Sequence, residues 1–170
     1  MGHRGALHAA SFIRAGAAAG ALLLTSAGAF AQTPPPTTEL DVPAAGTLKI
    51  VDGDVRVVGT DYEERRVKPG DRIASTERLV TGRESAASVV LRDGTVMALG
   101  PRTNLDLSRF NYNATTQEGS LAVRLVRGSM RMITGLIGRS NPDAVTVATR
   151  TATVGIRGTD FIVTVDEANP

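Results

Sequence analysis

The 170-residue sequence contains no cysteine and no tryptophan, and its two histidines, His3 and His8, both fall within the first ten residues. Without cysteine no disulfide can form, so the fold depends on apolar burial and on backbone hydrogen bonds. Beyond residue 8 the chain has neither imidazole nor thiol, which excludes Ser-His-Asp catalysis, Cys-His catalysis and nearly all zinc chemistry there. We therefore predict a protein that is not an enzyme, with no catalytic, cofactor-binding or metal-binding residue and no cofactor.

Aromatic residues are also scarce, at 4% of the chain, whereas hydrophobic residues make up 42% and charged residues 21%. These proportions are typical of a globular protein and not of a disordered one. With so few rings available, the core must be built mostly from valine, leucine, isoleucine, alanine and methionine. Such side chains suit β-strands that pack closely.

The first 31 residues have the three parts of a secretory signal peptide: a start with His3, Arg4 and His8, an apolar run over 15–24, and the small residues Ala29 and Ala31 for cleavage. We predict that residues 1–31 are removed on export. An uncleaved leader that tethers the chain to the membrane is the alternative. No cysteine is present to carry a lipid anchor.

Residues 32–45 follow as a linker rich in proline and threonine, with Pro34, Pro35 and Pro36 in succession, a composition that prefers extended and solvated chain. When the leader takes Arg4 and Arg14 with it, the 19 basic side chains fall to 17, against 17 acidic ones. A neutral domain has no overall electrostatic footprint for nucleic acid. We predict no nucleic-acid partner and no integral membrane span after cleavage.

From residue 46 to residue 166 the pattern consists of short alternating runs separated by glycine turns. We predict three hairpins, with their turns at Asp52-Gly53, at 92–94 and at Arg127-Gly128, and a type II turn at Pro69-Gly70. Three runs rich in threonine and valine end the domain, and no helical periodicity is evident. The predicted fold is an all-β single domain of short antiparallel or stacked strands, either a β-roll or solenoid or, alternatively, a β-sandwich.

Four segments in this region share a recognisable order and spacing: Val67–Ile73 (V-x-x-GD-x-I), Thr81–Thr95 with the following Leu99-Gly100-Pro101, Val126–Arg131, and the closing run Ala148–Phe161. Together they resemble the signature of FecR domains. Order and spacing make the resemblance specific, and it covers nearly all of the chain after the linker. The positions that carry the signature are Asp93, Gly94, Thr95, Gly128, Gly155, Arg157, Gly158 and Thr159.

The resemblance implies an extracytoplasmic all-β module. The best-known FecR proteins place this module after a cytoplasmic anti-sigma segment and a membrane helix, and relay a signal from an outer-membrane siderophore receptor to a sigma factor. Here a predicted cleavable leader stands where those proteins have the cytoplasmic segment. We therefore expect a free-standing form in the periplasm, or a secreted form, that binds or senses through contacts with envelope proteins, with a possible link to cell-surface signalling.

The string 155–160 contains two candidate partner contacts, Arg157 and Asp160, because exposed arginine favours bidentate recognition. The alternative is that Arg157 pairs with a nearby carboxylate and locks a glycine bend. The other aspartates next to glycine are expected to cap their own turns. Two rival functions stay open: a structural envelope component that assembles through its sheet edges, and a protein that binds or cleaves glycans through paired acids.

Overall fold

The computed structural model describes residues 43–156 and 159–166, so the predicted leader and most of the predicted linker lie outside the described residues. Within these residues the chain forms twelve strands and one short α-helix, α1 (Leu136–Ser140), which is followed by a 3₁₀ turn at Pro142–Ala144. The strands are β1 (Ala44–Asp52), β2 (Val55–Val58), β3 (Glu64–Arg66), β4 (Arg72–Ala74), β5 (Arg78–Thr81), β6 (Ala86–Leu91), β7 (Val96–Leu99), β8 (Asn104–Tyr112), β9 (Gly119–Ile133), β10 (Val145–Ala148), β11 (Thr153–Gly155) and β12 (Asp160–Val165).

All twelve strands belong to one sheet, because the long strand β9 takes part in both of its halves. In the first half, β9 pairs with β7 and β12, and the order of strands is β4-β1-β6-β7-β9-β12. In the second half, β9 pairs with β8 and β10, and the order is β3-β2-β5-β8-β9-β10-β11. Only the β9–β10 pairing is parallel among the described strands. The all-β prediction of short antiparallel strands is confirmed.

The core follows from the alternation of apolar residues along the strands, because successive side chains of a strand point to opposite faces. Strand β6 shows this directly, with every second residue buried, and β9 buries Leu121, Val123 and Leu125 in one half and Met130 and Met132 in the other. The two methionines therefore fill the core, as expected. Leucine and valine dominate the buried set, and Phe110 is the one aromatic ring in it among the described residues.

Two of the predicted turns have the expected structure. Residues 92–94 join β6 to β7 as a hairpin, in which Val90 pairs with Val96 and Ala87 pairs with Leu99. At Pro69-Gly70, Gly70 has φ +94°, and the Asp71 amide donates to the Lys68 carbonyl at 3.1 Å, as a type II turn requires.

The predicted hairpin at Asp52-Gly53 is wrong. Strand β1 pairs with β4 and β6, whereas β2 pairs with β3 and β5. The turn instead carries the chain from one half of the sheet to the other, where the Asp54 amide donates to the Ser85 hydroxyl at 2.8 Å. A turn signal reports only that the chain bends, and the long-range partners of each strand decide what the bend joins.

The predicted hairpin at Arg127-Gly128 is also wrong, because β9 runs without interruption from Gly119 to Ile133. The register with β8 shifts just before Gly128, since Asn104 pairs with Arg127 but Leu105 pairs with Leu125, and Val126 is the extra residue of a β-bulge. Gly128, with φ +87°, follows this bulge directly. A bulge bends a strand and increases its twist. The bulge redirects β9 from one half of the sheet to the other.

Two further differences concern the start of β1 and the presence of a helix. Strand β1 begins at Ala44, inside the predicted linker of 32–45, because Ala45 is buried and its carbonyl accepts from the Arg92 amide at 2.9 Å. The short helix α1 was not predicted, since five residues are too few for a helical period, and Ile137 is its one buried residue.

Candidate functional site

The DGT turn of the family signature, Asp93-Gly94-Thr95, is buried, with exposures of 1% for Asp93 and 0% for Thr95. The Asp93 carboxylate accepts twice from Thr95, from its amide at 3.0 Å and from its hydroxyl at 2.7 Å. Asp93 therefore caps its own turn, as predicted. A buried carboxylate with these partners is structural, because its oxygens are directed into the protein.

The same turn holds the segment Thr134–Leu136 in place. The Gly135 amide donates to the Thr95 hydroxyl at 3.0 Å, and the Leu136 amide donates to the Asp93 carbonyl at 2.8 Å. Gly135 has no room for a side chain, since a Cβ there would lie 2.7 Å from the Gly94 carbonyl carbon. The requirement for glycine at this position was not predicted, because it depends on contact with a turn that is distant in the sequence.

The closing part of the signature reaches this corner through Thr159. The Thr134 amide donates to the Thr159 carbonyl at 2.9 Å, immediately before β12 begins. Thr134–Leu136 thus joins the DGT turn to the start of β12. We call Asp93–Thr95, Thr134–Leu136 and Thr159 the signature corner.

Gly128, another signature position, lies against Thr103. The Ser129 amide donates to the Thr103 hydroxyl at 3.1 Å, and the same hydroxyl lies 3.1 Å from the Ser129 carbonyl. The Thr103 amide in turn donates to the Thr81 hydroxyl at 2.8 Å. The structural role of these two buried threonines was not predicted. The only signal in the sequence is that each lies close to a glycine or proline turn.

Of the remaining predicted site residues, Gly155 and Asp160 are among the described residues. Arg157 and Gly158 lie outside the described residues, so the prediction of a partner contact at Arg157 stays a prediction. Gly155 ends the exposed strand β11. Asp160 begins β12, and both of its carboxylate oxygens accept from Arg131, at 2.9 Å from Nε and 2.6 Å from Nη2. This bidentate bond holds the pKa of Asp160 below its usual value and raises the pKa of Arg131.

Two other aspartates differ in their role. Asp71 caps its turn, since its carboxylate accepts from the Lys68 amide at 3.0 Å. Asp54 does not cap a turn but pairs with Arg56 at 2.6 Å, and hydrogen bonding to that guanidinium lowers the Asp54 pKa. A general acid needs a raised pKa, so the shifts of Asp54 and Asp160 run opposite to those of a glycan-cleaving pair. In the described part of the chain no three acidic or histidine side chains gather at a point that could hold a metal.

The sheet has four strands that pair on one side only within the described residues: β3, β4, β11 and β12. Exposed edges invite pairing with other chains, and proteins protect them by making them short or charged. Strands β3, β4 and β11 are each three residues long, and every residue of β3 is charged. Strand β12 has six residues, and its one charged residue, Asp160, is neutralised by Arg131. It is the least protected of these edges.

The side chains of β12 separate into two faces. Phe161, Val163 and Val165 pack against the core, whereas Ile162 is 69% exposed and projects from the other face. On the neighbouring strand β9, Ile133 pairs with Asp160 and is also exposed, on the same face of the sheet as Ile162. We call strand β12 with its free side and Ile162 the β12 edge.

The Arg131–Asp160 pair makes the β12 edge sensitive to acid. Because the Asp160 pKa in the folded state lies below its unfolded value of about 3.9, the pair stabilises the folded chain fully above that value and loses its effect as the pH falls through the folded pKa. We expect the hydrogen-exchange protection of β12 amides, corrected for the intrinsic exchange rate at each pH, to fall on acidification. The variant Asp160→Asn should show reduced protection of these amides already at neutral pH. Equal β12 protection in the wild type from neutral pH to about pH 3 would contradict this, and β6 serves as the internal control.

In the described residues no helix is both long and apolar enough to cross a membrane.

A family model described as FecR protein matches residues 77–169 of the chain. No curated protein matches the sequence. A solved structure titled "Cell surface anchoring domain" is similar, with 30% identity over 37% of this chain and 83% of its own length, at a TM-score of 0.36.

Proposed function

The chain belongs to the FecR family, and from this premise we propose that it is an exported periplasmic protein that binds a partner of the cell envelope along the β12 edge. FecR proteins are envelope-associated signalling regulators. The role proposed here is sensing or relaying by protein contact, without catalysis. A partner would contribute an extended segment that pairs with the free side of β12, a mode in which backbone hydrogen bonds supply much of the affinity.

One observation carries this proposal: β12 is twice as long as each of the other three edges and lacks their protection. Its exposed Ile162 offers an apolar anchor in the middle of the strand. Its start is fixed by the Thr134–Thr159 hydrogen bond of the signature corner. An edge that is held rigidly loses little conformational entropy when a partner strand is added.

We predict that Ile162→Lys weakens partner binding by at least about tenfold, because an edge lysine loses the apolar contact and opposes the approach of a second strand. The measurement is in-cell crosslinking from a photoreactive residue placed at position 164, beside the substitution, with identification of the adduct. The matched control is Val154→Lys with the photoreactive residue at 153, on the exposed edge strand β11. Thermal unfolding of both variants checks that the fold is retained.

Three outcomes are informative. Adducts with an envelope protein from β12 but not from β11, lost in Ile162→Lys, support the proposal. Equal adducts from both edges, or adducts that Ile162→Lys leaves unchanged, contradict it. Adducts consisting only of a second copy of this chain, with a matching mass by light scattering, favour the rival function of a structural component that assembles through its own edges.

A further inference from the structure

A second surface feature shares no residue with the β12 edge. It is a cleft of about 330 Å³ between the loop that follows β2, the turn before β5 and the middle of β8. Its polar and aromatic lining consists of Thr60, Tyr62, Thr76, Arg78, Asp106 and Ser108. We call it the Tyr62 cleft. Its volume is at the lower end of the range for ligand sites in proteins.

Tyr62 is the most exposed large hydrophobic side chain among the described residues, at 84%, in a sequence with two tyrosines and no tryptophan. Its backbone is left-handed, with φ +65°, which is unusual for a bulky residue. The loop that carries it is closed by two hydrogen bonds, from the Gly59 amide to the Glu63 carbonyl at 3.0 Å and from the Tyr62 amide to the Gly59 carbonyl at 3.2 Å. The ring is therefore displayed to solvent by a fixed loop, and strained residues of this kind cluster at ligand clamps.

The opposite wall is equally fixed. Thr76 is also left-handed, with φ +74°, and its amide donates to the Leu107 carbonyl at 2.7 Å. The Thr76 hydroxyl donates to the Ser75 carbonyl, so its lone pairs remain available as acceptors for a ligand. Two of the four non-glycine residues with positive φ in the described chain thus face one cleft. A cleft with both walls held in place binds without a large ordering cost.

The floor of the cleft is charged but balanced. Arg78 on β5 pairs across the sheet with Asp106 on β8 and donates from Nε to its carboxylate. That hydrogen bond raises the pKa of Arg78. Because Asp106 neutralises Arg78, the floor selects neither an anion nor a cation. Both side chains stay partly exposed, at 43% and 23%, and keep free donor and acceptor positions.

We propose that the Tyr62 cleft binds an uncharged saccharide. The C–H face of a pyranose ring would stack on the Tyr62 ring, as apolar groups do on aromatic faces. Its hydroxyl groups would bond to the Arg78–Asp106 pair and to the hydroxyls of Thr60, Thr76 and Ser108. An open cleft with a neutral floor and several hydroxyls matches a polyhydroxy ligand, whereas a phosphate or carboxylate would require an unpaired cation.

The test titrates residues 32–170 with three uncharged trisaccharides, chitotriose, cellotriose and maltotriose, and follows backbone amides by NMR. We expect at least one of them to shift the amides of Thr60, Tyr62, Thr76 and Ser108, with a Kd of about 1 mM. Tyr62→Leu should weaken that Kd by about tenfold, because the stacking surface is lost. Tyr62→Phe keeps the ring and should bind within about threefold of the wild type.

Inorganic phosphate and citrate are the anionic controls, and neither should shift the same amides. Absence of shifts with all three trisaccharides, binding that Tyr62→Leu leaves unchanged, or stronger shifts with phosphate than with any saccharide would each overturn the proposal. Ile162→Lys is expected to bind the saccharide normally, because the β12 edge has no residue in the cleft. The two proposals can therefore fail independently.

Discussion

Gly128→Ala is expected to lower the free energy of unfolding by about 2–5 kcal/mol. An alanine would have to adopt φ +87°, which costs about 1–2 kcal/mol. Its Cβ would also lie 2.5 Å from the Thr103 Cα and 2.9 Å from the Arg102 carbonyl oxygen, both backbone atoms that cannot move aside. Overpacking of this kind adds about 1–3 kcal/mol. The backbone of β9 directly after the bulge would be strained.

Two other glycines provide matched controls. Gly70 has φ +94°, but a Cβ added there would meet no atom within 4 Å, so Gly70→Ala should cost only the conformational part, about 1–2 kcal/mol. Among the described residues none approaches Gly155 within 4 Å of an added Cβ, and its φ is not positive, so Gly155→Ala should be close to neutral. Urea unfolding followed by far-UV circular dichroism measures all three. If Gly128→Ala cost no more than Gly70→Ala, the close approach of β9 to Thr103 would have no energetic weight.

Thr95→Val is expected to lower the free energy of unfolding by about 2–4 kcal/mol. Valine keeps the shape of the side chain but removes the hydroxyl that accepts from the Gly135 amide and donates to the Asp93 carboxylate. Both partners are buried, and a buried polar group left without its hydrogen bond costs about 1–3 kcal/mol. Because the signature corner also fixes the start of β12, hydrogen-exchange protection of β12 amides should fall with it.

Thr95→Ser is the control for this second prediction, since it keeps the hydroxyl and removes one methyl group, at a cost of about 1 kcal/mol. Equilibrium unfolding gives the two free energies, and NMR gives the protection of β12. The prediction fails if valine is tolerated as well as serine. It also fails in part if the whole fold loses stability while β12 keeps its protection relative to β6, because the corner would then not position the edge.

The family signature has a structural role in the described residues. Asp93, Thr95 and Gly128 make buried hydrogen bonds or close backbone contacts, and Thr159 holds the start of β12 through its carbonyl. They hold strand β12 and the turn beside it in place within the sheet.

Several features followed from the sequence alone. Alternating apolar residues predicted strands, and the shortage of aromatic residues predicted a core of aliphatic side chains and methionine. Local turn chemistry was also correct where the turn closes on itself, as at Pro69-Gly70 and in the hairpin at 92–94. These properties depend on residues close together in the chain, so the local sequence determines them.

The tertiary structure decided what each bend joins and what each polar residue contacts. At Arg127-Gly128 strand β9 continues past a bulge instead of turning back as a hairpin, and Gly128 lies against Thr103. Gly135 is required because the DGT turn lies against it. Asp160 binds Arg131, and β12 becomes an unprotected edge, only once the strands are arranged. Partners distant in sequence are chosen by the packing of the whole sheet, and a period of two residues carries no information about which strand will lie alongside.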